Sequence, residues 1–110
     1  MLFSALPRRI MAYAEPIDMR RSIDGLVGAV QGLLGEDPLS GTLFVFFNRR
    51  GNYLKLVAWD RTGYCLFAKR LEHGRFRLPS DEAKQTLSEQ AFHLILDGIP
   101  LGKRRAVRYE

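Results

Sequence analysis

The sequence predicts a small α+β domain: an antiparallel sheet, a meander of about four to five strands, carrying two helices. Three observations lead there. Apolar residues recur at helical spacing from Ile23 to Leu34 and again from Phe92 to Ile99, whereas between Thr42 and Arg70 they form short runs of strand length. Separators that each contain glycine divide those runs, as hairpin loops do. With 46% apolar and 26% charged residues in 110, the chain has the composition of an ordinary folded domain and too little length for two cores.

Residues 10 to 14 read as a first strand. Glu15-Pro16 stops it, because proline lacks a donor and biases the residue before it. In the helix that follows, Ile23, Leu26, Val27, Val30, Leu33 and Leu34 fall on one face, with Asp18 or Ser22 as cap and Gly35 ahead of Asp37-Pro38 as the stop. The internal Gly25, Gly28 and Gly32 each weaken it by about 1 kcal/mol relative to alanine and suit close packing on a sheet. Three strands come next, at residues 42 to 48, 53 to 60 and 64 to 70, joined by Arg49-Arg50-Gly51-Asn52 and Arg61-Thr62-Gly63. A fourth is expected at residues 75 to 78, reached through Glu72-His73-Gly74 and ended by Pro79. Residues 80 to 87 read as a polar loop. Ser88 then caps a second helix with Glu89 in its first turn, an apolar stripe of Phe92, Ile95, Leu96 and Ile99, and Gly98 as its end. Residues 1–102 form the expected single domain and 103–110 a mobile basic tail. Both helices are expected on one face of the sheet, leaving the other for function.

Cys65 is the sole cysteine and lies in an apolar run, which excludes an internal disulfide and points to a reducing compartment. The opening apolar residues are cut short by Pro7-Arg8-Arg9, and no later stretch nears the roughly 18 apolar residues of a membrane span. A cytoplasmic protein with no membrane partner is expected.

Charge is sorted along the chain. Residues 49 to 77 hold eight cations (Arg49, Arg50, Lys55, Arg61, Lys69, Arg70, Arg75 and Arg77) against Asp60 and Glu72, a net +6 that exceeds the whole chain's +5. Such a concentration on a folded sheet is the footprint of a polyanion site, and these eight residues are the candidate nucleic-acid contacts. A three-residue hairpin at Arg61-Thr62-Gly63 would set Lys55 opposite Lys69, a like-charge pair that an anion between them would relieve. A four-residue first loop, with Asn48 opposite Tyr53, would place Phe44 and Phe46 on the same face as Val57 and Lys55. Interleaved rings and cations suit stacked bases. Equally, Phe44, Phe46, Trp59 and Phe67 suit a core beneath a helix, with the lysines snorkelling to its rim.

No catalytic constellation emerges, so an enzyme is not expected. Asp18, Asp24, Asp60, Glu72 and Asp81 would have to cluster for two-metal phosphoryl transfer, yet two sit near a helix start, one at a hairpin turn and one beside arginine. His73 and His93 have no ligand or triad spacing, and Gly25-Leu26-Val27-Gly28 lacks the ending of a phosphate loop. No cofactor is expected.

The string Asp37-Pro38-Leu39-Ser40-Gly41, Leu43-Phe44-Val45-Phe46, Asn48-Arg49-Arg50-Gly51, Lys55, Trp59-Asp60, Gly63, Leu66, Lys69-Arg70-Leu71-Glu72 and Gly74-Arg75-Phe76 resembles the second-open-reading-frame accessory protein of IS66-type insertion sequences, often called TnpB. Asp18-Met19-Arg20-Arg21, Asp24-Gly25-Leu26 and Leu96-Asp97-Gly98-Ile99 extend the likeness over about residues 8 to 100. RNA-guided nucleases that share the TnpB label are unrelated. The resemblance implies a bacterial mobile-element protein that accompanies a larger transposase and has no established activity of its own. Leu78 stands where that pattern usually has tryptophan, and Asn52 where it usually has aspartate. Two functions are therefore expected to compete. One is a non-catalytic transposition accessory factor that binds DNA through a basic sheet face and loops. The other is an adaptor that docks the transposase, or a homo-oligomer, without DNA.

Overall fold

Residues 8–99, those described by the computed structural model, form a five-stranded mixed sheet with one helix against each face. In chain order the elements are β1 (Ile10–Tyr13), α1 (Ile23–Ala29) continuing into a π-helical turn (Val30–Leu34), β2 (Leu43–Phe47), β3 (Tyr53–Asp60), β4 (Gly63–Arg70), β5 (Lys84–Leu87) and α2 (Glu89–Leu96). Across the sheet the order is β4-β3-β2-β1-β5. The expected α+β class with two helices stands, as does the antiparallel meander β2–β3–β4. The sheet is mixed because β1 lies parallel to β2, Ile10 beside Leu43, with α1 as the crossover that parallel strands need. The basic tail and the domain boundary drawn at 102 lie outside the described residues, as does the apolar opening before Pro7. No described helix is long and apolar enough to cross a membrane.

Packing on both faces corrects the expectation of one covered face. On one side Leu26, Ala29, Val30 and Leu34 meet Met11, Phe44, Phe46 and Val57; on the other Phe92 and Ile95 meet Ala12, Val45, Phe47, Leu54 and Leu56. The cause is visible in β2, Leu-Phe-Val-Phe-Phe, in which all five residues are buried. A strand without polar alternation needs cover on both sides. Phe44 and Phe46 do share a face with Val57 and Lys55, through the expected pairing of Asn48 with Tyr53, but the rings are core beneath α1 and face no ligand.

Two segments exchange roles relative to the sequence reading. Residues 75 to 78 form no strand, whereas Lys84–Leu87, within the supposed polar loop, pairs antiparallel with β1 as an edge strand. Its residues alternate in burial: Gln85 and Leu87 are buried, Lys84 and Thr86 exposed. Four residues with a single aliphatic side chain leave little signal in a linear scan.

In α1 the final turn widens to π geometry and ends at Gly35, whose φ of 64° is the left-handed stop that favours glycine. A π turn advances each residue through a smaller angle, so Leu34 rather than Leu33 falls on the apolar stripe. Leu34 is 3% exposed and Leu33 48%. Ser22 occupies the N-cap position of α1 without a side-chain bond, while Ser88 caps α2 as expected, its hydroxyl accepting from the Ala91 N–H at 3.0 Å.

Candidate nucleic-acid interface

The β2–β3 connection is built by Asn48. Its side-chain oxygen accepts from the Asn52 and Tyr53 N–H groups at 3.0 and 3.1 Å, its amide donates to Asn52 Oδ1 at 2.8 Å, and its carbonyl accepts from the Gly51 N–H at 3.1 Å. Asparagine at the first position and glycine at the fourth are what such a turn favours. Gly51, at φ 74°, takes the backbone geometry that a side chain resists. Arg49 and Arg50 are left at the two corner positions, both exposed.

A second segment is strapped across the same end of the sheet. Leu71 N–H donates to Asn52 O and Phe76 N–H to Gly51 O, each at 2.8 Å. The Phe76 ring is buried against Phe47, centroids 5.9 Å apart. Burial alternates along the strap, with Phe76 anchored inward and its neighbours Arg75 and Arg77 exposed. The stem of Arg75 passes within 3.8 Å of where a Cβ on Gly51 would stand. Arg70, opposite Tyr53 at the end of β4, joins this end and pairs with Glu72 at 3.5 Å. Five of the eight expected contacts, Arg49, Arg50, Arg70, Arg75 and Arg77, thus gather at one end of the sheet. Four of them have no carboxylate partner among the described residues. Beside them lies a cleft of about 300 Å³ whose lining includes Phe47, Arg49, Phe76, Arg77, Ser80 and Asp81.

The other three lie elsewhere, and the reason is a one-residue difference in register. Asp60 pairs with Gly63 around a two-residue connection, so Lys55 faces Ala68 and Lys69 faces Leu54; the expected Lys55–Lys69 pair does not form. With a side-chain period of two, that shift sends the lysines to opposite faces. Each ties a helix down: Lys55 Nζ donates to Arg21 O before α1 at 2.9 Å, and Lys69 Nζ to Leu96 O at the end of α2 at 2.7 Å. The latter is the favoured place for a cation on a helix. Arg61 sits in the β3–β4 turn at the far end of the sheet, where it, and not Gly63, takes positive φ, 58°. That geometry costs an L-residue roughly 1–2 kcal/mol. Arg61→Gly is therefore expected to raise stability by about 0.5–1 kcal/mol in urea denaturation, the relief being partly offset by glycine's extra unfolded-state entropy.

Comparison with known proteins agrees with the likeness read from the residues. The family described as "IS66 Orf2 like protein" matches residues 8–106. The chain belongs to the IS66 Orf2-like family. Two relatives of this IS66 Orf2-like protein come from Sinorhizobium fredii. The uncharacterized protein y4hO is 40% identical over 100 residues, covering 90% of this chain and 87% of the relative. The uncharacterized protein y4jC is 37% identical over 92 residues, covering 83% and 79%. No solved structure matches. IS66 Orf2-like membership fits an accessory protein of an insertion sequence.

The acids of this IS66 Orf2-like protein are dispersed. Asp60 pairs with Arg8 at 3.0 Å, Asp18 with Arg20 at 2.7 Å, and Glu36 with Lys84 and Arg9. No group of three or more His, Cys, Asp or Glu among the described residues could hold a metal ion. Hydrogen bonds from the Arg20 side chain and backbone lower the Asp18 carboxyl from its ordinary 3.8 to about 2. The hydrogen bond from Lys84 lowers Glu36 below its ordinary 4.5. Both are depressed carboxylates, so their contribution to stability is present above the unfolded pKa and is lost as pH falls through the folded value. For Asp18 that window runs from 3.8 down to about 2. Lys84→Met is expected to return Glu36 toward 4.5, read by NMR titration of its carboxyl carbon, while leaving Asp18 unmoved.

Proposed function

We propose that this protein is a non-catalytic accessory factor of IS66-type transposition, acting in the bacterial cytoplasm, that binds DNA through the arginine-rich end of its sheet. One observation carries the reading: Arg49, Arg50, Arg70, Arg75 and Arg77 converge around the Gly51 turn, and only Arg70 is paired with an acid among the described residues. Guanidinium groups held on a turn and a strap, without acids to neutralise them, suit phosphate oxygens and fix register without reading bases. Lys55, Lys69 and Arg61 drop out of the contact set, because two are spent on helix carbonyls and one lies at the opposite end.

Titration against element-end DNA and unrelated duplex DNA over a series of ionic strengths tests it. Five neutralised phosphates would give log K against log salt a slope of about −4.5. A flat salt response would sink the reading.

The adaptor reading keeps one observation of its own. β4 is an edge strand whose eight residues pair with β3 in unbroken register, with Phe67 36% exposed and no proline or bulge to blunt it. Transposase that co-purifies after nuclease treatment, with no DNA shift at low salt, would favour it over the DNA reading.

A further inference from the structure

The cleft beside the Gly51 turn has a composition that simple phosphate binding does not require. Arg49 and Arg77 line it together with Asp81, yet neither arginine closes an ion pair with that carboxylate, and Asp81 has no partner among the described residues. A site for phosphate alone has no use for a carboxylate, which repels the ligand. A site for a nucleotide does, because the base edge offers N–H donors on the far side of the sugar from the phosphate. At about 300 Å³ the cleft is at the lower end of the range for small-ligand sites and has no room for a base pair.

We propose that this cleft takes one unpaired nucleotide of DNA, its phosphate held by Arg49 and Arg77 and its base edge read by Asp81. The inference rests on the DNA-binding reading and adds strandedness and base preference to it. A carboxylate only accepts hydrogen bonds, so it favours bases with an exocyclic amine, cytosine N4 among them, over thymine, whose single N–H lies between two carbonyls that repel it. The arginines set position and affinity, and Asp81 sets selectivity. Phe47 and Phe76, both nearly buried, form the floor, where they shape the cleft more than they stack on a base.

Fluorescence anisotropy with short oligo-dC, oligo-dT and a duplex of equal length tests this. Oligo-dC is expected to bind about tenfold more tightly than oligo-dT, since one well-made base contact discriminates by roughly that factor or more. Asp81→Asn, whose amide both donates and accepts, is expected to erase that preference while keeping affinity for oligo-dT or raising it. Arg77→Ala is expected to weaken both oligonucleotides alike and to reduce the salt slope by about 0.7. The duplex is expected to bind more weakly than oligo-dC; a duplex bound as tightly as oligo-dC, equal affinity for oligo-dC and oligo-dT, or a preference that survives Asp81→Asn would overturn this inference and leave the arginine-rich end as a DNA site. Absence of binding to any of the three at low salt would overturn both.

Discussion

Replacing Arg49, Arg50, Arg75 and Arg77 together with glutamine is expected to remove most DNA affinity while leaving the fold intact. Four of five phosphate contacts would go, so the salt slope on duplex DNA should fall from about −4.5 to about −0.9, and nonspecific binding of about 10⁻⁶–10⁻⁴ M should move beyond detection at physiological salt. Stability should hardly change. All four side chains are exposed and none pairs with a carboxylate among the described residues, and substitutions of that kind usually lie within about 0.5 kcal/mol. Arg61→Gln serves as the control for position, since it removes one positive charge at the other end of the sheet. An unchanged slope in the quadruple variant, with loss in the control, would place the contacts at the β3–β4 turn instead.

Phe76→Ala is expected to cost about 3–5 kcal/mol of stability in urea denaturation. Against the 5–15 kcal/mol or so of a typical domain that is a large fraction. The ring is 8% exposed and packs on Phe47 within the α2-side core, with Leu71 and Leu78 packed against the same cluster. It is also the residue that turns Arg75 and Arg77 outward. Under conditions where the variant stays folded, DNA affinity should therefore fall, with a salt slope shallower by up to about 1.8. Phe76→Leu should recover most of both. A cost below about 1 kcal/mol would mean that the ring is not the anchor of the strap.

Most elements are legible in the sequence because their signals are local. The Ser88 cap, the left-handed Gly35 and the Asn48-to-Gly51 turn each depend on residues within a few positions of one another, and each appears where its residues stand. β5 is hidden because Lys84–Leu87 is recognisable as a strand only from its partner β1, which lies 70 residues or so earlier in the chain. Of the candidate site, the arginines at the β2–β3 turn could be placed from that turn alone. Arg75 and Arg77 could not: their position depends on Phe76 finding Phe47 and Gly51, a contact between segments that spacing does not announce. Nothing in the local sequence of Asp81 brings it to the cleft that Arg49 and Arg77 line.

What this chain carries in its sequence is the charge content of residues 49 to 77, the turns, and a β2 strand so apolar that both its faces must be covered. What only the tertiary structure decided is where those charges point. A two-residue rather than three-residue turn at Arg61 sends Lys55 and Lys69 to opposite faces and onto helix carbonyls. The local cost of either turn is of the order of 1 kcal/mol, smaller than the burial energies of the side chains that one register or the other places in the two cores. Register is therefore settled by packing across the whole sheet, and the arginines that remain free are those that packing had no use for.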